Sequence, residues 1–303
     1  MATMWILLTM LALVFPSANQ LNARGPADPA LAADIKQLLH KVLTADEDDA
    51  ADAAKVKAIF AKHGLPTTRE VGDEAAYDFV LLLTSDRVMQ ELQAEVLPKI
   101  KAAVAQHELP PDAGVFYEAR VRSEKAKGAA GKRAPENPAL RDQIERMVKV
   151  DQEVRQQKGF DAAKMNVTDA ANAPLLQDIL SKYGVPGYAM VGPQATSDFV
   201  LMIQHQSPQF REQVLPKLKA LVSAGEADPG SYAMVYDLSQ RDAGKKQLYG
   251  ERLECKAGET MHEAPIEDEP HVNQRRAELG LMRVELYASL VAELMPQFCP
   301  SAK

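Results

Sequence analysis

The chain has 303 residues, 46% hydrophobic and 25% charged, which supplies apolar surface for ordinary globular cores and length for two domains. Its formal net charge of -7 excludes a general nucleic-acid binder, because neutralising phosphates requires a basic face that this balance does not provide.

The first 23 residues carry no charged side chain, and Trp5 to Phe15 is an apolar run of the length expected for the core of a secretory signal. It is too short to span a bilayer comfortably. Residues 1–23 are therefore expected to be a signal peptide, or an N-terminal anchor if left uncleaved, with processing near Ala18 or Ala23. The chain is then exported: periplasmic in a Gram-negative bacterium, otherwise secreted. An uncleaved N-terminus is the one membrane attachment this reading allows.

Residues 26–120 read as a helical domain. Asp28 caps a first helix and Pro29 opens it, with Leu31, Ile35, Leu38, Leu39 and Val42 on one stripe. A second helix stops at Gly64, followed by Pro66. FVLLL at 79–83 is apolar on every side and reads as a buried helix, followed by a helix containing Pro98. The same plan then returns. DPALAADIKQLL from Asp28 matches NPALRDQIERMV from Asn137, Ile59 to Leu83 matches Ile179 to Ile203 without a gap, and Val96 to Val104 matches Val214 to Val222. Three blocks in one order point to two diverged repeats of one mainly helical domain. Residues 121–137, rich in Lys, Gly, Ala and Pro, read as a solvated linker, and 138–303 as the second domain with a C-terminal extension.

In that extension, Val, Tyr and Leu on either side of Asp242-Ala243-Gly244-Lys245 suggest a small β-hairpin near 232–250. A basic helix around Val272 to Leu279 stops at Gly280. A last amphipathic helix with Leu281, Val284, Tyr287, Val291 and Leu294 on one face is expected to pack on the second domain. The two cysteines, Cys255 and Cys299, are expected to form a disulfide if the chain is exported.

Where the repeats differ, polar groups appear in the second. Asp151 replaces Val42 on the apolar stripe, with Arg155 one turn further on, and Gln204-His205 replaces Thr84-Ser85. Asp151 and Arg155 read either as an ion pair at a half-exposed helix end or as charge aimed into a cleft. His205 reads either as a cap on the last carbonyls of a helix or as a base. The segment 261–273 offers His262, Glu263, Glu267, Asp268, Glu269 and His271, but its spacing fits no standard metal template. No metal or cofactor is expected.

The run Asp151-Gln152-x-x-Arg155, YGVPG at Tyr183 to Gly187, Gln204-His205, VLPKL, Gln247-x-Tyr249-Gly250, PIED at Pro265 to Asp268, Val272-Asn273-x-Arg275-Arg276-x-x-x-Gly280-Leu281 and Tyr287 resembles an uncharacterised bacterial family, domain of unknown function 6624. The resemblance covers roughly Leu140 to Leu294 and implies that Asp151, Arg155, His205, Gln247, Tyr249, Asp268, Arg275 and Arg276 match the family's polar pattern, without implying an activity. Two departures stand out: Asp237 and Arg241 are separated where the family has Asp-Arg, and Glu251 stands where Thr or Ser is expected.

Three functions remain open. One is an envelope protein that binds an anionic small molecule or peptide through Arg155, Arg275 and Arg276, with Gln204, Gln247 and Tyr249 as further contacts. Another is a hydrolase-type enzyme with His205 as base, oriented by Asp151 or Asp268. The third is a scaffold without a small-molecule site.

Overall fold

The computed structural model describes residues 25–45, 49–156, 161–255 and 262–294, which are mainly helical. The expected signal segment, Asp46 to Asp48 and Cys299 lie outside the described residues, and with Cys299 the expected disulfide. Among the described residues no helix is long and apolar enough to cross a membrane.

The first half comprises α1 (Pro29–Thr44), α2 (Ala50–His63), the single turn α3 (Thr68–Val71), α4 (Asp73–Leu82), α5 (Asp86–Ala105) and α6 (Pro111–Gly131). The second comprises α7 (Pro138–Gln156), α8 (Ala162–Tyr183), the single turn α9 (Tyr188–Val191), α10 (Pro193–Gln204), α11 (Pro208–Ala224) and α12 (Pro229–Asp242). The expected caps form: Asp28 accepts from Leu31 N at 2.9 Å and Asn137 from Leu140 N at 3.1 Å. FVLLL and FVLMI both lie in helices, or at their ends, as expected.

The two halves share local geometry. Asp28 N donates to Glu70 O and Asn137 N to Met190 O, both at 2.8 Å. Thr68 N donates to Glu108 O at 2.8 Å, and Tyr188 N to Glu226 O at 2.9 Å. Each single-turn helix ends at a glycine, Gly72 at φ 86 ψ 164 and Gly192 at φ 85 ψ 161, a conformation open essentially to glycine alone. One buried cluster runs from Leu31 to Val121 and is joined by Ala277, and a second runs from Leu140 to Tyr249.

The structure departs from expectation at three places. Residues 121–131 continue α6 instead of forming a linker, and Val121 and Ala130 are buried. Glu, Lys, Arg and Ala there are good helix formers, and one interior glycine does not outweigh them. The α6 helix consequently joins the first core to α9 and α10, leaving only a short connection before α7.

No hairpin spans 232–250, because α12 occupies its first part. Asp228 accepts from Ser231 N at 2.7 Å and Pro229 opens the helix, so Tyr232, Ala233, Val235 and Leu238 are buried at helical spacing. The turn at Gly244 forms, but the antiparallel pair lies later, between β1 (Leu253–Glu254) and β2 (His262–Glu263), with a parallel bridge from Gln247 to Ile266.

The C-terminal helices, α13 (Val272–Glu278) and α14 (Val284–Leu294), meet both halves. Of the expected stripe, Leu281 packs against the second core, Val284 against Ile266 and Val272, and Tyr287 Oη donates to Glu251 O at 3.3 Å. In addition α13 packs on α6, and Met282 and Leu286 join the first core. Polar groups hold this contact with the first half. Arg283 Nη2 donates to Asp112 at 2.7 Å and Nη1 to Asp73 at 2.9 Å, and its guanidinium lies 4.2 Å from the centre of the Tyr77 ring. Gly280, at φ 67, lets this segment approach α6 so closely that a Cβ would lie 2.6 Å from Arg120 N.

Candidate functional site

The apolar stripe of α7 buries Leu140, Ile144 and Met147 and then carries Asp151 into the same seam, where it is 0% exposed. A carboxylate so placed must be paired. Arg155, one turn on, donates Nη1 to Asp151 Oδ1 at 2.8 Å and Nη2 to Asp169 Oδ1 on α8 at 2.6 Å. Gln152 Nε2 donates to Asp151 Oδ2 at 2.8 Å. With the proton on Nδ1, His205 donates to Asp151 Oδ1 across 3.2 Å. Burial alone would push the Asp151 carboxyl up, but His205, Arg155 and Gln152 outweigh it and hold it below its usual range.

His205 reaches this position because α10 ends there: its N–H bonds Met202 O, and Ser207 with Pro208 starts α11 two residues later. The turn is held from beneath by Arg211, which the sequence reading missed. Arg211 is buried, donates Nη1 to Gln204 O at 3.1 Å and also bonds Gln206 O and Asp242. No local pattern marks it, since its partners lie on the preceding loop and at the end of α12. Among the described residues His205 Nε2 has no hydrogen-bond partner, and the ring is partly exposed. Asp151 thus selects the Nδ1–H tautomer and leaves Nε2 as a free acceptor, the arrangement of an oriented general base.

Nitrogen and oxygen atoms of Asp151, Asp169 and His205 lie within 4.8 Å of one another, near enough to converge on a cation. Arg155 already bridges the two carboxylates and supplies the positive charge that such an ion would bring.

The other expected site residues form a separate cluster directed at backbone. Gln247 is buried, donates Nε2 to Ala264 O at 2.6 Å and to Arg252 O at 3.0 Å, and accepts from Arg252 N at 2.9 Å. Arg276, 1% exposed, donates Nη1 to Tyr249 O at 2.6 Å and to Glu251 Oε1 at 2.8 Å, and Nε to Met282 O at 2.6 Å. Its guanidinium also lies 5.0 Å from the centre of the Tyr287 ring. Arg275 donates to Leu248 O at 3.0 Å and to Glu267 O at 2.6 Å, and meets Asp268 at 3.4 Å. The ring of Tyr249 packs against Tyr232 and Tyr236.

Asp237 anchors this cluster. Its buried carboxylate accepts from Leu248 N at 2.7 Å, Tyr249 N at 3.1 Å and Glu251 N at 2.9 Å. Burial pushes its carboxyl up against the opposing pull of those amides. Glu251, in place of the expected Thr or Ser, is the buried partner of Arg276.

Asp151, Arg155 and His205 therefore come together, with Gln204 adjoining through its backbone carbonyl. Gln247, Tyr249, Arg275 and Arg276 hold the 247–252 loop and the start of the C-terminal helices. Asp268 lies with exposed His271, which it meets at 2.8 Å, and with Arg275, so it does not orient His205. Arg275 and Arg276 do not form a clamp with Arg155, because their donors are taken by carbonyls and carboxylates of their own cluster.

No curated protein and no solved structure matches the chain. Residues 138–296, which contain both polar clusters, match a family described as of unknown function, DUF6624, and the chain belongs to that family.

Proposed function

We propose that this is an exported protein of two diverged repeats whose working site is the His205–Asp151 pair of the second, and that the pair binds a polar small molecule or peptide and promotes its hydrolysis. The observation that carries the reading is the 3.2 Å contact between His205 Nδ1 and a fully buried carboxylate, with Nε2 left without a partner among the described residues. In this role Nε2 takes a proton from a water molecule as that water attacks an ester or amide carbonyl, and Asp151 stabilises the imidazolium that forms; the imidazolium then returns the proton to the leaving alcohol or amine as the C–O or C–N bond breaks. The repeat reading is supported by the three aligned blocks and the recurring backbone ties at Asp28 and Asn137. Val42 and Ser85 stand where Asp151 and His205 would be, so the first repeat lacks this pair. Export rests on the apolar run from Trp5 to Phe15.

An anionic ligand is disfavoured, since Arg155, which lies beside His205, is already paired with two carboxylates. The test is hydrolysis of a panel of chromogenic esters and amides by the wild type and by His205→Ala. Turnover that is lost in His205→Ala, at an unchanged melting temperature, supports the enzyme. Stabilisation by a panel member that depends on His205, without turnover, assigns the site to a binding protein.

A further inference from the structure

A cavity of about 580 Å³ lies away from His205, between α1, α4 and the C-terminal α14. That volume suits a small organic ligand. Leu39 and Leu43 of α1 and Leu286 and Leu290 of α14 give it an apolar wall. Its charged lining is predominantly acidic. From α4 come Asp73, Glu74 and Asp78, and from α14 Glu285 and Glu293; Lys36 and Arg283 are the cations, and His40 completes the set.

Most of these carboxylates are already satisfied. Asp73 pairs with Arg283 at 2.9 Å, Glu74 with Lys36, Glu285 accepts from Asn273 at 2.9 Å, and Glu293 meets His40 at 2.9 Å. Asp78 differs: it is half-buried and, among the described residues, has neither a hydrogen bond nor an ion pair. The second half satisfies the corresponding position internally. There Asp198, in register with Asp78, accepts from Gln194 Nε2 at 2.8 Å. The residue in register with Gln194 is Glu74, which turns to Lys36 and leaves Asp78 facing the cavity without a donor.

We propose that this cavity binds an amphiphilic amine, a small molecule whose ammonium group pairs with Asp78 and whose apolar body lies against Leu39, Leu43, Leu286 and Leu290. A carboxylate withdrawn from water without a donor destabilises the fold, and an ammonium supplies both the missing hydrogen bond and the opposite charge. The surplus of carboxylates over Lys36 and Arg283 favours a cation over an anion of the same shape. This site is independent of the His205 pair and stands whether or not that pair is catalytic.

The test uses octylammonium below its micelle concentration, with octanoate and octanol as anionic and neutral comparators, followed by calorimetry on the full chain. Octylammonium is expected to bind, and the comparators to bind at least about tenfold more weakly. Asp78→Asn is expected to lose about tenfold in octylammonium affinity, and His205→Ala to lose none. Burial pushes the Asp78 carboxyl up to about 6, with Lys36 and Arg283 lowering it and Glu74 raising it, so affinity falls as the pH drops through that value. His40, Asp73, Glu285 and Glu293 also face the cavity, but only the Asp78 contribution disappears in Asp78→Asn. Absence of octylammonium binding at 1 mM (about -4 kcal/mol as a dissociation constant) overturns the proposal, as does equal binding of octanoate or an unchanged affinity in Asp78→Asn. The Asn side chain removes charge without removing volume, and a melting temperature at or above wild type shows that the variant is folded.

Discussion

Arg155 lays one guanidinium nitrogen on Asp151 and the other on Asp169, joining α7 to α8 directly beside His205. Replacing Asp151 by Val, the residue at the aligned position 42, removes a partner from three side chains at once. Arg155 keeps Asp169, so the expected loss is about 2–3 kcal/mol by urea denaturation. Adding Arg155→Met to Asp151→Val should recover a large part of it, because an apolar pair of similar volume no longer carries a half-paired, half-buried cation.

The Asp151 carboxyl is held below its usual range in the folded protein. Its contribution to stability is therefore complete above its unfolded pKa of about 4 and disappears as the pH falls through the lower folded value. The stability gap between wild type and Asp151→Val should be constant from pH 7 to about 5 and shrink on further acidification, as measured by denaturation at each pH.

Asp78 has the opposite sign. Its folded value, pushed up to about 6, lies above the unfolded one, so it destabilises the fold at neutral pH and ceases to do so once protonated in both states. Asp78→Asn should raise the melting temperature at pH 7 by about 2–4 °C, the shift expected for roughly 1 kcal/mol in a chain of this size, and leave it unchanged near pH 3. Differential scanning calorimetry at the two pH values measures both.

Arg276 holds a buried loop together, and its removal leaves Glu251 charged and unpaired in the interior. Arg276→Met should cost about 3–5 kcal/mol at pH 7. Burial already pushes the Glu251 carboxyl up, and losing the guanidinium pushes it further, so the cost should fall in acid where Glu251 is neutral. A ligand clamp would behave differently, weakening binding with little change in the denaturation curve.

The helices of both halves were legible because each carries its own punctuation, Asp28-Pro29, Asn137-Pro138 and the glycines at 64 and 184. Asp151 and His205 stood out singly for another reason, since Val42 and Ser85 occupy the aligned positions, but the sequence left Asp151 and Asp268 as alternative partners of His205. The roles of Arg275 and Arg276 were not, since an arginine that grips a carbonyl and one that grips a ligand look alike until their surroundings are known. Tyr232 and Val235 suit a strand as well as a helix, and only the Asp228-Pro229 cap decides between them. The packing of Leu281 and Val284 on the second half follows from the apolar stripe, whereas the added contact with the first half depends on Arg283 meeting Asp73 and Asp112, positions far apart in the chain.

Asp151 fixes the His205 ring with its proton on Nδ1, and long-range proton–nitrogen NMR of the imidazole at alkaline pH tests this most directly. Neutral histidine in water favours the Nε2–H tautomer, whereas here the signal should show Nδ1 protonated and Nε2 bare, reverting to the solution tautomer in Asp151→Val. A His205 ring protonated on Nε2 in the wild type would contradict the account.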